Sequence, residues 1–527
     1  MKRPAFPLLM LFLITGMIST QALYASSSQA AAPAANISAL WSLPFVGILL
    51  CIAIIPLINA HFWEKNLWWI SLGIFCLPMA IIFGVFMGEL LREKTIEKLL
   101  EYLSFIILLA SLFVISGGIL VKGKMNGTPV LNSVFLLVGS IIASFVGTTG
   151  ASMLLIRPLI RANRNRERKA HIVIFFIFLV SNIGGVLTPL GDPPLFLGYL
   201  QGVPFEWTFR LFPQWIFTSS IVLVIFFVYD NIMYRREKPA APGEAAEGSD
   251  SGDLIKSIGS DINAAIDLLN PDQHAVQGTI SRRLLVSVNE RLTSARGKIK
   301  TLNETGIAGS SIGLEGKINL VFLAGVVFIV FMQGFLLKKV AWWPHFGPQE
   351  VGMLIMLGLS LVFTPAKSGL RIENGFTFQP IKEVALIFAG IFATMIPALY
   401  ILETKGASLG IVEPWQFFWA AGGLSSFLDN APTYLTFVSV GKSLHLPNTL
   451  NFVFNDGGTL TTPILAAISC GAVFMGANTY IGNGPNFMVR SIAEEQGVKM
   501  PSFFGYMLYS GLVLIPTFIL VTLIFFR

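Results

Sequence analysis

Apolar stretches of about twenty residues, the length a helix needs to cross a bilayer, follow one another along nearly the whole chain. In the first half they cover residues 39–60, 68–91, 101–121, 129–160, 171–200 and 213–231; in the second, 318–337, 351–364, 384–402, 414–440, 457–490 and 504–526. Eight of these runs are uninterrupted and predict spanning helices. The other four hold glycine, proline and polar residues in their middles. Val146-Gly147-Thr148-Thr149-Gly150 interrupts one and Asp429-Asn430-Ala431-Pro432 another, which predicts re-entrant hairpins. Ser181 to Gly198 and Thr479 to Met488 interrupt the remaining two, which predicts broken helices. Proline removes a backbone donor and clashes with a continuing helix. At membrane depth such a break survives only where it is buried in protein or lines a wet cavity.

The four breaks form two copies of one plan. Thr188-Pro189-Leu190-Gly191-Asp192-Pro193-Pro194-Leu195-Phe196-Leu197 aligns without gaps on Thr479-Tyr480-Ile481-Gly482-Asn483-Gly484-Pro485-Asn486-Phe487-Met488. Ahead of each, Ser144-Phe145-Val146-Gly147-Thr148-Thr149-Gly150-Ala151 lines up with Ser426-Phe427-Leu428-Asp429-Asn430-Ala431-Pro432-Thr433. Each half then has five crossings and one hairpin. Five is odd, so the halves enter the membrane from opposite sides. The fold class read from this is an all-α polytopic membrane protein of two inverted-topology repeats, each with a re-entrant hairpin and a broken helix. That architecture belongs to secondary transporters with a midplane site.

Charge refines the picture. Of 527 residues, 54% are hydrophobic and 12% charged, and the formal balance of +7 falls in loops at the membrane edges. Topology explains such a balance, so lipid is the expected partner and nucleic acid is not. Residues 1–31 read as a signal peptide, with Met1-Lys2-Arg3, an apolar stretch and Ala22-Leu23-Tyr24-Ala25. Residues 39–235 then form the first repeat, 236–317 an insert and 318–527 the second repeat. From an outside start, the basic runs at 161–169 and 235–238 fall on one side, expected to be cytoplasmic. The insert carries the apolar stripes Leu254, Ile258, Ile262, Ala265, Leu269 and Leu284, Val288, Leu292, Ala295, Ile299, Leu302 at helical spacing. It reads as soluble, cytoplasmic and helical, either a spacer or a regulatory or subunit-contact element. Cys51, Cys76 and Cys470 read as small buried hydrophobes.

The breaks carry the candidate chemistry. Asp192 and Asp429 are the acids within them, and both are candidate sodium ligands. Asn182, Asn430, Asn478, Asn483, Asn486, Thr148, Thr149 and Thr433 supply neutral oxygens. No Arg or Lys lies inside any of the four motifs; Arg157 and Arg490 stand toward the exits. Carboxylate, hydroxyl and carbonyl oxygens suit a hard cation. A partly desolvated aspartate can hold Na⁺ or a proton in competition, which is exchange through one site. Each assignment has a plainer rival: Asp192 can cap the next half-helix, Asp429 can pair with Asn430 or a backbone N–H, and the threonines can satisfy the hairpin tip. Glu89, Glu206, Asp230 and Glu413 stand near span ends and read as solvated boundary residues.

Ser181-Asn182-Ile183-Gly184-Gly185 followed by Gly191-Asp192-Pro193-Pro194 resembles the signature of the ion transporter superfamily, which includes NhaD-type sodium/proton antiporters, arsenite carriers, and citrate and dicarboxylate carriers. The resemblance implies a homodimer in the bacterial inner membrane that moves by an elevator mechanism, carrying sodium ions and protons and using no cofactor. Dicarboxylate carriers of that group have Ser-Asn-Thr at both hairpin tips, whereas here the tips read Gly147-Thr148-Thr149 and Asp429-Asn430-Ala431. The two acids are closer to the antiporter and arsenite pattern. Sodium (lithium)/proton antiport is therefore the first expectation. Transport of citrate or another organic anion, coupled to Na⁺ or not, is the second. An intramembrane aspartyl protease is disfavoured: Tyr229-Asp230 follows Gly191-Asp192 where such an enzyme has the reverse order, and the repeated motif goes unexplained.

Overall fold

The computed structural model describes residues 38–83, 89–122, 126–237, 313–335, 347–444 and 451–527. The expected signal peptide and the two insert helices lie outside the described residues.

The described chain is helical throughout, apart from two short antiparallel strand pairs. The α-helices are α1 (Leu43–Ile58), α2 (Ala60–Trp68), α3 (Leu77–Ile81), α4 (Glu89–Ser116), α5 (Pro129–Val146), α6 (Thr148–Ala162), α7 (Ala170–Leu179), α8 (Pro193–Leu200) and α9 (Phe212–Arg236) in the first half. The second half has α10 (Ile318–Phe335), α11 (Pro348–Phe363), α12 (Gly369–Glu373), α13 (Gln379–Lys405), α14 (Pro414–Ser425), α15 (Asn430–Lys442), α16 (Thr462–Met475), α17 (Gly484–Glu495) and α18 (Phe503–Phe525). Among the described residues six helical stretches are long and apolar enough to cross a membrane. The protein is an all-α, multi-pass membrane protein.

Both hairpins and both broken helices form where the breakers stand. Gly147 turns the first hairpin at φ 82°, a conformation that side chains resist, and α5 and α6 pack side by side beneath it. Proline starts the next piece at each break: Pro193 and Pro194 open α8, and Pro485 opens α17. The first helical turn leaves its N–H groups without intrahelical partners, so proline loses nothing there.

Two bodies emerge from the packing. The carrier body holds α5–α9 and α14–α18; the scaffold holds α1–α4, α10, α11 and α13. They meet along a seam where α4 touches α6 and α8, and α13 touches α15. The first hairpin's base sits with the basic residues. There Arg166 Nη2 lies 2.7 Å from Asp230 Oδ1 and its Nε 2.6 Å from Glu237 Oε2. This is the basic end. The second hairpin's base sits at the far end, where Asn455 donates to the Leu200 carbonyl at 3.0 Å beside the close of α8. The repeats are therefore inverted.

Three expectations need correction. The third span begins at Glu89, not at residue 101, and carries Lys94, Glu97, Lys98 and Glu101 in its first turns. Those charges look like a loop in sequence, yet Lys98 and Glu101 pair within the helix at 2.8 Å. The second broken helix begins at Thr462, because the strands Asn451–Val453 and Thr459–Thr461 form a hairpin ahead of it, turning through Gly457 at φ 81°. Asp230 is not a solvated boundary residue. It is fully buried, with His171 Nε2 at 2.9 Å and Asn132 donating at 2.9 Å in addition to Arg166.

Candidate functional site

The breaks of both repeats meet at one buried polar cluster. Its centre is Asp192, only 2% exposed, at the N-terminus of α8. Thr148 Oγ1, from the first hairpin tip, donates to Asp192 Oδ1 at 2.8 Å. Asn430, from the second hairpin tip, donates through Nδ2 to Asp192 Oδ2. Asn483, the residue aligned with Asp192 in the other repeat, reaches Oδ1 at 3.4 Å. Among the described residues, no cation side chain contacts this carboxylate.

An amide chain extends the cluster. Asn483 also donates to the Ser181 carbonyl at 3.1 Å and to Asn182 Oδ1 at 3.2 Å. Asn182 donates to Asn486 Oδ1 at 2.7 Å, and Asn486 in turn donates to the carbonyls of Gly476 and Thr479 at 2.8 and 2.9 Å. The two halves of the chain are thus tied by amides some three hundred residues apart. Four half-helices (α6, α8, α15 and α17) start at this cluster, so their positive dipole ends converge on it.

Asp192 occupies the N-cap position of α8, but its side chain makes no capping bond. Pro193 and Pro194 offer no N–H, and Thr148, Asn430 and Asn483 take its oxygens. The capping reading holds instead for Asp429, which accepts from the Ala431 N–H at 3.2 Å. Asp429 is half-buried, next in chain to Asn430, and forms no bond to Asp192. Thr433 is buried, but its hydroxyl donates to the Asp429 carbonyl at 3.0 Å within its own helix, so it does not join the cluster. Asn478 donates to Ser426 Oγ at 2.9 Å. The Oδ1 atoms of Asn430 and Asn478 are buried carbonyl oxygens with no hydrogen-bond partner.

Thr149 is half-buried and makes no bond to Asp192; it lines a cavity of about 50 Å³ between the first hairpin tip and the scaffold. Gly147, Thr148, Gly191 and Pro193 form the carrier wall, and Leu112, Phe113, Ile381 and Val384 form part of the facing scaffold wall. A cavity of that size holds one or two waters, at about 30 Å³ each. Thr148, which donates to Asp192, stands on its wall.

Ser144 and Ser426 join this set through their side chains: Ser144 donates through Oγ to the Gly184 carbonyl, and Ser426 Oγ accepts from Asn478. Thr188 donates through Oγ1 to the Ser144 carbonyl, and Thr479 makes the matching bond to Ser426. Ser152 and Ser181 pair by their hydroxyls at 2.8 Å beside Asn182. The alignment of Ser144 with Ser426 was the available signal.

Inverted repeats, paired hairpins and a cross-repeat polar cluster around a buried carboxylate are the architecture of a secondary transporter. The profile of the family described as "Putative citrate transport" matches residues 34–264 and 276–526, nearly the whole chain, and the protein belongs to that family. No curated protein matches it.

Proposed function

We propose that the protein is a sodium (lithium)/proton antiporter of the inner membrane, with Asp192 as the exchanging group. The observation that carries this reading is a buried carboxylate contacted only by neutral donors, with the unpartnered carbonyl oxygens of Asn430 and Asn478 in the same polar region. A buried ionised acid without a cation is costly, and adding Na⁺ or a proton relieves that cost. Na⁺ would take Asp192 together with amide, hydroxyl or backbone oxygens. Protonation of Asp192 removes the charge that holds it. The basic end faces the cytoplasm in this reading, as Lys and Arg bias requires.

The second reading is a carrier of citrate or another organic anion. Two observations favour it: the family's description, and the four helix N-termini that converge on the site, which attract carboxylates. Everted vesicles containing a pH-sensitive dye separate the two. After respiration builds a proton gradient, Na⁺ or Li⁺ collapses it under the antiport reading, and Asp192→Asn abolishes the response. No response to either cation, together with saturable uptake of labelled citrate, overturns antiport in favour of the anion reading.

A further inference from the structure

At the basic end, one face of the carrier gathers cations that have no acid beside them. Arg164, Arg168 and Lys169 follow α6, and Arg235 and Arg236 close α9. Lys169 is half-buried and the other four are exposed. Among the described residues, none of the five is paired with a carboxylate. Topology explains why Lys and Arg lie at this end. It does not explain why unpaired cations collect on one face. At the same end of the scaffold, Lys317, Lys367 and Lys382 stand among Glu315, Glu373 and Glu383, and on α17 Arg490 pairs with Glu494 at 3.0 Å.

Gathering like charges costs repulsion, and a buried anchor holds them against it. Arg166, in the middle of the loop, turns inward. It donates to Asp230 Oδ1 at 2.7 Å, to Glu237 Oε2 at 2.6 Å and to the Gly127 carbonyl at 3.1 Å. The Arg168 N–H donates to Glu237 Oε1 at 3.1 Å. These bonds pin the loop to the end of α9, which brings its exposed cations to Arg235 and Arg236. The Arg166 guanidinium also lies 4.9 Å over the ring of Tyr234, an exposed residue of the type that marks a membrane–water boundary. Toward the membrane from there, α9 exposes Val224, Val228 and Ile232, and its neighbour α5 exposes Val130, Val134 and Val138. Each row repeats every fourth residue. Cations above, a tyrosine at the boundary and apolar rows below match a phospholipid whose headgroup carries negative charge.

We propose that this face binds an anionic phospholipid, with its phosphate at Arg168, Arg235 and Arg236 and its acyl chains along α5 and α9. A zwitterionic phospholipid brings its own cation and leaves the protein's cations without a counter-charge. The site acts independently of the ion carried.

The test titrates the purified protein in a neutral detergent with phosphatidylglycerol or with phosphatidylcholine of the same chains, and reads the melting temperature. Phosphatidylglycerol is expected to raise it further than phosphatidylcholine. That excess should shrink between about 0.1 M and about 1 M salt, as the Debye length falls from about 10 Å to about 3 Å. Each of Arg168→Gln, Arg235→Gln and Arg236→Gln should raise the amount of phosphatidylglycerol needed for half the excess about five-fold, the scale of one basic residue at an anionic surface. The three together should abolish the excess and leave the melting temperature in phosphatidylcholine near the parent's. Lys317→Gln, Lys367→Gln and Lys382→Gln together remove three exposed cations from the scaffold at the same end and should keep the excess. Equal stabilisation by the two lipids overturns the proposal, and so does an excess that survives the carrier triple variant. An excess lost equally in the scaffold triple variant overturns it too, by making the effect one of net charge. Glycerol phosphate without acyl chains should give no shift; a shift equal to the lipid's makes this a site for soluble anions and overturns the lipid.

Discussion

The two repeats share their backbone and differ in their charge. Asp192 and Asn483 hold nearly the same conformation, φ −144°, ψ 144° and φ −153°, ψ 140°, and neither caps the helix it begins. Thr188 and Thr479 tie their own hairpins by the same bond to Ser144 and Ser426. Gly191 packs on Gly185, and Gly482 on Gly476 in the same way. Yet the first repeat puts a carboxylate where the second puts an amide, and the second repeat's acid, Asp429, is spent on its own helix. Repetition therefore builds the frame, and one substitution within it places a carboxylate where the breaks of both repeats meet.

The largest break in this comparison is Asp192→Asn. It gives both repeats an amide at the same backbone position, so the fold should persist with a normal thermal transition. If Asp192 is the exchanging group as proposed, Na⁺-dependent dye recovery in everted vesicles should be lost. Asp429→Asn removes the charge but keeps a side chain that caps as well, and should leave the fold and most of the exchange. Equal loss in the two variants would mean that the acids act as a pair.

Next come the close glycines. A Cβ on Gly191 would lie 2.1 Å from the Gly185 carbonyl oxygen, and one on Gly482 would lie 2.6 Å from that of Gly476. Both obstacles are backbone, which cannot rotate away. Gly191→Ala should cost at least the 1–3 kcal/mol typical of overpacking, roughly, and Gly482→Ala somewhat less. Melting of the purified variants in detergent checks the order. A neutral Gly191→Ala would show that this backbone crossing is looser than its geometry.

Thr188→Val and Thr479→Val sharpen the comparison more gently. Each removes the hydroxyl that ties a broken helix to its hairpin and leaves a buried carbonyl short of one bond, at a cost of about 1–3 kcal/mol. Thr188 Oγ1 also accepts from the Leu190 N–H, and Thr479 Oγ1 from those of Ile481 and Gly482, so the loss of melting temperature should be the larger for Thr479→Val. Equal losses would show that the extra N–H bond carries no weight.

The hairpins and broken helices were legible in the sequence because their signal is double. Prolines and glycines mark each break, and a second copy of each break repeats the pattern. Asp192 was legible for the same reason, standing beside two prolines inside an apolar run. Its partners were not: Asn430 and Asn483 reach it from 238 and 291 positions away, and no local pattern encodes such a contact. The opening turns of α4 were missed because Lys98 and Glu101 neutralise each other only once the helix exists. Asp230 was misread for a similar reason, since Asn132 of α5, His171 of α7 and Arg166 of the loop between α6 and α7 gather around it.

The smallest expected effect is an absence of pH dependence at the far end, in contrast to the site. Burial alone would raise the Asp456 carboxyl, but Lys442 beside it, helped by the Gly458 N–H, outweighs burial and holds it below the ordinary value of 3.8. A carboxyl with a depressed folded-state pKa contributes stability that is present above its unfolded value, about 3.9, and is lost only as pH falls through the lower folded value. The Lys442–Asp456 pair is therefore intact at every pH from 5 to 8, roughly the range of maximal protein stability. Lys442→Met should therefore lower the melting temperature of the purified protein by about the same amount at pH 5 and at pH 8. Exchange, if Asp192 carries it, should vary with pH while that loss does not. A loss that tracked exchange through the same pH midpoint would tie this pair to protonation at the site.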